Sequence, residues 1–206
     1  MRKLYLLFLI LSIHAYDTHS QQPVHRVSKS YFRSDPFSTS FGAFVQHLLN
    51  DPAITGKKVE RKTDSTFFSF EGTYSSFNPF FSKPDKIDVV LIEFSTSVND
   101  SLPPDTLYSY QLIAFYADDK DGEKTVKKEF ERIDKRIKSY FAGSNTEDNP
   151  GGVEGKLYNY FVPYHLLAPF SLGWYRHVES KQLYLVLTLR LKPIENETQM
   201  PYFIVR

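Results

Sequence analysis

The sequence contains no cysteine among its 206 residues. This absence excludes disulfide bonds, a thiol nucleophile and a zinc–thiolate site. It also excludes a bacterial lipoprotein, because the acylated residue of such a protein is a cysteine. Exported animal domains of this size often carry disulfides, so their absence favours a bacterial periplasmic or secreted protein.

The sequence also has no apolar run long enough for a transmembrane helix, which needs about 20 such residues. Its longest run covers residues 4–11, and two basic residues precede it. This arrangement is typical of a secretory signal peptide. Residues 1–20 are therefore predicted to be removed by cleavage near Ser20 and Gln21, which leaves a periplasmic or secreted protein with no transmembrane segment.

Excess charge and known catalytic signatures are missing as well. Without residues 1–20 the chain has 23 basic and 23 acidic side chains, so its net charge is zero. Net charge then gives no attraction to nucleic acid, and no nucleic-acid partner is predicted.

The nucleophile elbow, the zinc-binding H-E-x-x-H helix and the phosphate-binding loop are all absent. We therefore predict no catalytic residue, metal ligand or cofactor.

Aromatic residues, in contrast, are abundant, with 18 Phe and 14 Tyr. They favour β-structure. The chain lacks the regular strand–helix alternation of a parallel sheet, so its strands are expected to be antiparallel. For residues 21–206 we predict a single α+β domain, in which an antiparallel sheet of about seven to nine strands, or a pair of apposed sheets, carries two helices on one face.

Two segments have the apolar periodicity of helices. The first begins at Asp35 and Pro36, which suit a helix cap and a first turn, and ends at Asn50. The second has apolar residues at intervals of four, three, four and three: Val126, Phe130, Ile133, Ile137 and Tyr140. A membrane-surface or partner helix has the same pattern, but a helix that covers its own sheet is far commoner.

Eight segments are predicted as strands: 58–63, 66–75, 86–98, 106–118, 156–163, 171–178, 181–192 and 201–205. Residues 21–35 are expected to form an edge strand or a loose arm. The polar segment 144–155 is expected to be a flexible linker.

The chain also shows signs of an internal repeat. A shift of ninety positions places Phe70 on Tyr160 and the pair 79–80 on the pair 169–170, and a shift of 89 aligns the two helices. With a short insertion, strand 87–94 corresponds to strand 183–190. We predict pseudo-repeats 36–118 and 123–206, a degenerate duplication of a helix-plus-four-strand unit, with chance alignment as the alternative.

Two aromatic segments, FNPFF (77–81) and APFSLGWY (168–175), are predicted to be loops at matching places in these repeats. They either close the ends of the core or form an exposed surface for a glycan, peptide or partner protein. Trp174, expected to be partly exposed, and Tyr175 are the best anchors of such a surface, and Phe80 and Phe81 complete it.

His165 and His177 are the remaining candidates for ligand binding. They are either surface histidines in turns or an acid–base pair with Glu71 or Glu179. The sequence thus favours an exported, non-enzymatic cell-envelope protein that binds a partner protein, peptide or glycan through aromatic loops. The alternative is a small exported hydrolase with a carboxylate–histidine site, which a cluster of Glu71 with both histidines would favour.

Overall fold

The computed structural model describes residues 23–61, 68–76, 81–96, 105–141, 143–162, 167–177, 179–180 and 182–192. The predicted signal peptide, the predicted strand 201–205, Phe80 and His165 lie outside these residues. The described helices are α1 (23–31), α2 (Phe41–Asn50) and α3 (Lys120–Ile137). The described strands are β1 (Ile54–Arg61), β2 (Phe68–Tyr74), β3 (Lys86–Thr96), β4 (Asp105–Ala117), β5 (Gly143–Asp148), β6 (Gly155–Phe161), β7 (Phe170–His177) and β8 (Gln182–Leu191).

The strands form one antiparallel sheet in the order β1-β2-β3-β4-β8-β7-β6-β5. Strands β1–β4 make one meander and β5–β8 another, and each meander follows a helix in the chain. The two meanders meet where β4 pairs with β8, from Tyr108 opposite Leu191 to Ala117 opposite Gln182. The predicted α+β class and the antiparallel sheet are thereby confirmed.

All three helices lie on one face of this sheet. The ring centre of Phe44 in α2 lies 5.0 Å from the ring centre of Tyr110 in β4. The ring centre of Phe32, which follows α1, lies 4.7 Å from that of the same tyrosine. Phe130 in α3 is 4.9 Å from Tyr158 in β6. The five leucines at odd positions of β8 point to this face and are fully buried: Leu183, Leu185, Leu187, Leu189 and Leu191. Removal of each large apolar side chain from water contributes about 1.5–3 kcal/mol.

The first helix is missing from the sequence-based prediction, which gave residues 21–35 as a strand or arm. Residues 23–31 are helical. One side of this helix is buried, and the exposed fraction is at most 1% for Val24, Val27 and Tyr31. Their spacing of three and four is a helical signal, and the polar residues between them conceal it.

The predicted helix from Asp35 is interrupted near its start. The Asp35 carboxylate accepts a hydrogen bond from the Phe37 amide and caps only a 3-10 turn, Pro36–Ser38. The chain then becomes extended at Ser40, whose hydroxyl accepts from the amide of Ala43 and caps α2. Because two side chains each cap their own turn, one continuous helix is replaced by two short segments.

The predicted linker 144–155 contains a strand. Residues 143–148 form β5, which pairs with β6 along its whole length and is exposed at every position. An exposed edge strand buries nothing, so it has no alternation of apolar and polar residues from which a prediction could be made. The turn that follows is built by Asn149, Gly151 and Gly152, all with positive φ.

The proposed alignment of the two repeats can be compared with the strand order. Phe70 in β2 and Tyr160 in β6 occupy the second strand of their meanders, and both are buried. The proposed match of segment 87–94 with 183–190 is wrong, because β3 is the third strand of its meander and β8 is the fourth. Origin of the two halves by duplication stays a prediction.

Candidate binding face

The face of the sheet opposite the helices contains a depression of about 480 Å³. It crosses the seam between the meanders, from β3 through β4, β8 and β7 to β6. Ten residues line it: Ile92, Phe94, Ser109, Gln111, Leu157, Ser171, Tyr175, Val186, Thr188 and Arg190. Because side chains alternate along a strand, these residues point away from the helices while their neighbours build the core.

A row of small polar residues forms the floor of this depression. Gln111 in β4 lies opposite Thr188 in β8, which lies opposite Ser171 in β7. Ser171 and Thr188 are 4% and 9% exposed. Hydroxyl and amide groups offer both donors and acceptors, so this floor suits a ligand with polar groups.

Tyr175 lies across the depression because its neighbour on the same face is a glycine. A Cβ atom built on Gly173 would lie 2.4 Å from the Tyr175 hydroxyl oxygen and 2.7 Å from two ring carbons. The ring therefore occupies the space that any larger side chain at position 173 would fill. Burial raises the pKa of Tyr175, Glu147 raises it further, and Arg190 opposes this change.

Arg190 supplies the positive charge of the depression. Its Nη1 donates a hydrogen bond to the carbonyl oxygen of Ala168. Burial lowers the pKa of the Arg190 guanidinium, whereas Tyr175 raises it. Among the residues that the structure describes, no carboxylate forms an ion pair with Arg190.

Among the described residues, Arg176, on the helix side of the sheet, is surrounded by carboxylates, unlike Arg190. Its guanidinium lies within 3.3 Å of Asp118, 2.6 Å of Glu123 and 3.5 Å of Glu154. Three carboxylates thus surround Arg176, while the described part of the chain offers none to Arg190. The two arginines have different roles, since Arg176 ties β7 to α3 and Arg190 faces the depression.

The predicted anchor Trp174 lies on the other side of the sheet, and its expected exposure is wrong. Residues 170–177 form strand β7, as the predicted strand 171–178 requires, so the overlapping segment 168–175 is not the exposed aromatic loop that was also predicted. Alternation along β7 places Tyr175 in the depression and Trp174 beneath α3, where Trp174 is only 8% exposed. The ammonium of Lys127 lies 4.9 Å from the centre of the indole ring.

Phe81 and His177, the other predicted ligand-binding residues that the structure describes, do not join Tyr175. Phe81 is 6% exposed and belongs to the core on the helix side. His177 is exposed at the end of β7, and its Nδ1 accepts a hydrogen bond of 3.1 Å from the amide of Ser180. It therefore stabilises a hairpin turn.

Glu71 and His177 do not form the carboxylate–histidine pair that was considered from the sequence. Glu71 is in β2 and His177 in β7, and β3, β4 and β8 lie between these strands. Strands are about 4.8 Å apart, so four steps separate the two side chains by about 19 Å. Within the described ranges, no three His, Asp or Glu side chains lie close enough together to hold a metal ion.

Sequence reasoning missed Arg190, Ser109 and the polar floor. A signal for Arg190 was present, because the alternation of leucines in β8 places every even position on the opposite face. An arginine at one of those positions therefore had to point away from the core. The strand pairing that adds residues from β3, β4 and β6 has no local signal.

Comparison with protein-family models, curated proteins and solved structures gave no match. In the described part of the chain, no helix has both the length and the apolar character needed to cross a bilayer.

Proposed function

We propose that this protein is an exported, non-enzymatic binding protein of the cell envelope and that the helix-free face of its sheet binds the ligand. The ligand classes are those expected from the sequence: a partner protein, a peptide or a glycan. The observation that carries this proposal is the depression across the β4–β8 seam, with its polar floor and its aromatic and apolar walls.

The size and lining of the depression support binding. Its volume of about 480 Å³ falls within the range of about 300–1,000 Å³ typical of ligand pockets. Phe94 and Tyr175 provide ring surfaces on which a flat ligand group can stack. Ser171 and Thr188 lie between these walls, where their hydroxyls can fix the orientation of a bound group.

The alternative, a hydrolase with a carboxylate–histidine site, has less support. His177 is bonded to the backbone of its own turn, and Glu71 lies on the far side of three strands. General acid–base catalysis needs its groups within hydrogen-bond reach of one substrate. No observation favours this alternative over binding.

Binding to arrays of glycans and short peptides tests the proposal. Phe94→Asp places a charge in the depression, and Val59→Asp places the same charge at an exposed apolar residue of β1. We expect Phe94→Asp to weaken binding at least about tenfold, which is about 1.4 kcal/mol, while Val59→Asp leaves it unchanged. No ligand for the wild type, or equal effects of both variants, would contradict the proposal.

The export part has a separate test. Mass spectrometry of protein recovered from the native host should give an N-terminus near Gln21. Retention of Met1 on a cytoplasmic protein would refute export without changing the argument for binding.

A further inference from the structure

Arg190 is a cation without an anion among the described residues, and it stands at one end of a ligand-sized depression. We propose that the depression binds an organic carboxylate with an apolar body, and that Arg190 and the hydroxyl of Ser109 bind the carboxylate. This inference rests on the proposed function, since it gives the chemical class of the ligand for the same face.

The geometry of the cationic end supports a carboxylate. Arg190 in β8 lies directly opposite Ser109 in β4, and such cross-strand partners have Cα atoms about 4.5–5.5 Å apart. A guanidinium has five N–H donors, of which Arg190 uses one on the carbonyl of Ala168. The remaining donors match the two oxygens of a carboxylate, which an arginine binds in a bidentate manner.

Ser109 is arranged as a second donor. Its oxygen accepts a hydrogen bond of 2.8 Å from Nε2 of Gln111. The hydroxyl proton of Ser109 therefore stays available for an acceptor next to Arg190. Together the two side chains supply a positive charge and a hydroxyl donor on neighbouring strands.

The rest of the depression is suited to an apolar body. Ile92 in β3 lies opposite Ser109, so the apolar wall begins next to the cationic end. Phe94 extends this wall along β3, and Val186 and Leu157 continue it on the far side of the polar floor. A ligand with a carboxylate at one end and an apolar group at the other fills both parts.

Burial makes an unpaired Arg190 costly, which is the energetic reason to expect an anion. Arg190 is partly buried, and a charge partly removed from water without an anionic partner is unfavourable. Burial already lowers the pKa of Arg190. A bound carboxylate offsets this cost, whereas a neutral ligand leaves it in place.

Calorimetric titration of the mature chain tests the inference with matched probes. The first pair is 4-phenylbutyrate and its neutral amide. The second is the tripeptide Ala-Leu-Phe with a free C-terminal carboxylate and the same peptide with a C-terminal amide. The two pairs distinguish a small free acid from the end of a peptide as the source of the carboxylate. A hydrogen bond to a charged group leads us to expect that the acid of at least one pair binds about 10- to 100-fold more tightly than its amide.

Variants then assign the preference to Arg190. Arg190→Gln should remove the preference for the acid, whereas Lys128→Gln, which loses the same charge on the exposed side of α3, should keep it. Ser109→Asp places a carboxylate opposite Arg190 within the protein. It should abolish binding of the acid but spare any binding of the amide, and it serves as the test should Arg190→Gln not fold.

Three outcomes would overturn the inference: equal binding of acid and amide by the wild type, an acid preference that survives Arg190→Gln or Ser109→Asp, or no binding of any probe. Equal binding that Phe94→Asp abolishes would refute the carboxylate and leave the proposed function standing. A ligand from the arrays that is insensitive to Phe94→Asp would refute the binding face itself.

Discussion

At the scale of single residues, the candidate site depends on one glycine. Gly173 leaves the space into which the Tyr175 ring folds, and this ring forms part of the wall of the depression. Trp174, between them in sequence, points into the core. Of these three consecutive residues of β7, the first and third therefore shape the depression, and the second belongs to the core.

Replacement of Gly173 by alanine tests this contact. The new Cβ would overlap the Tyr175 ring, so the ring must swing aside, and we expect a loss of about 1 kcal/mol of unfolding free energy, at the low end for overpacking. Urea unfolding measures it. Gly143→Ala in β5, where nothing lies within 4 Å, should change stability by less than about 0.5 kcal/mol.

A double-mutant cycle assigns the effect to the ring. In a Tyr175→Ala background there is no ring to displace, so the cost of Gly173→Ala should vanish. An undiminished cost in that background would show that position 173 requires glycine for another reason.

At the scale of elements, α3 is the best example of a structure that its sequence specifies. Val126, Phe130, Ile133 and Ile137 are buried along one side of α3, as predicted. Tyr140, the fifth residue of the predicted stripe, lies in a 3-10 turn after the helix and is not buried. The polar side of α3 is also attached to the sheet, since the hydroxyl of Tyr160 donates a hydrogen bond of 2.7 Å to Asp134.

This packing gives a direct prediction for α3. Phe130→Ala removes a ring that is 3% exposed and should cost about 3–5 kcal/mol of unfolding free energy. Lys128→Ala, on the exposed side, should stay within about 0.5 kcal/mol. Chemical denaturation of both variants measures the difference, and similar small effects would mean that α3 contributes little to the core.

Elements whose pattern was weak or misleading were missed for identifiable reasons. Helix α1 has its apolar residues at helical spacing, but the many polar residues among them led to the prediction of a strand or an arm. Strand β5 is exposed on both faces, so only its backbone pairing with β6 defines it. Strand 171–178 was predicted and is β7. The aromatic residues of segment 168–175 also suggested an exposed loop, whereas Gly173 serves a close approach within the strand.

At the scale of the whole molecule, the class of the fold was predictable and the site was not. Amphipathic helices and alternating strands indicate an antiparallel sheet covered on one face. The pairing of β4 with β8 joins segments far apart in sequence, and no local pattern specifies it. Arg190 and Ser109 become neighbours only through this pairing, so the cationic end of the depression is a product of the topology.

The central claim is that the helix-free face of the sheet binds the ligand, and its most direct test is an NMR titration of the protein. Labelled protein is titrated with 4-phenylbutyrate or with a ligand found on the arrays, and backbone amide shifts are followed. We predict changes centred on Ser109, Ser171, Thr188 and Arg190, with α3 unaffected. Changes confined to the helices or to the exposed edge strand β5, with none in the depression, would contradict the account.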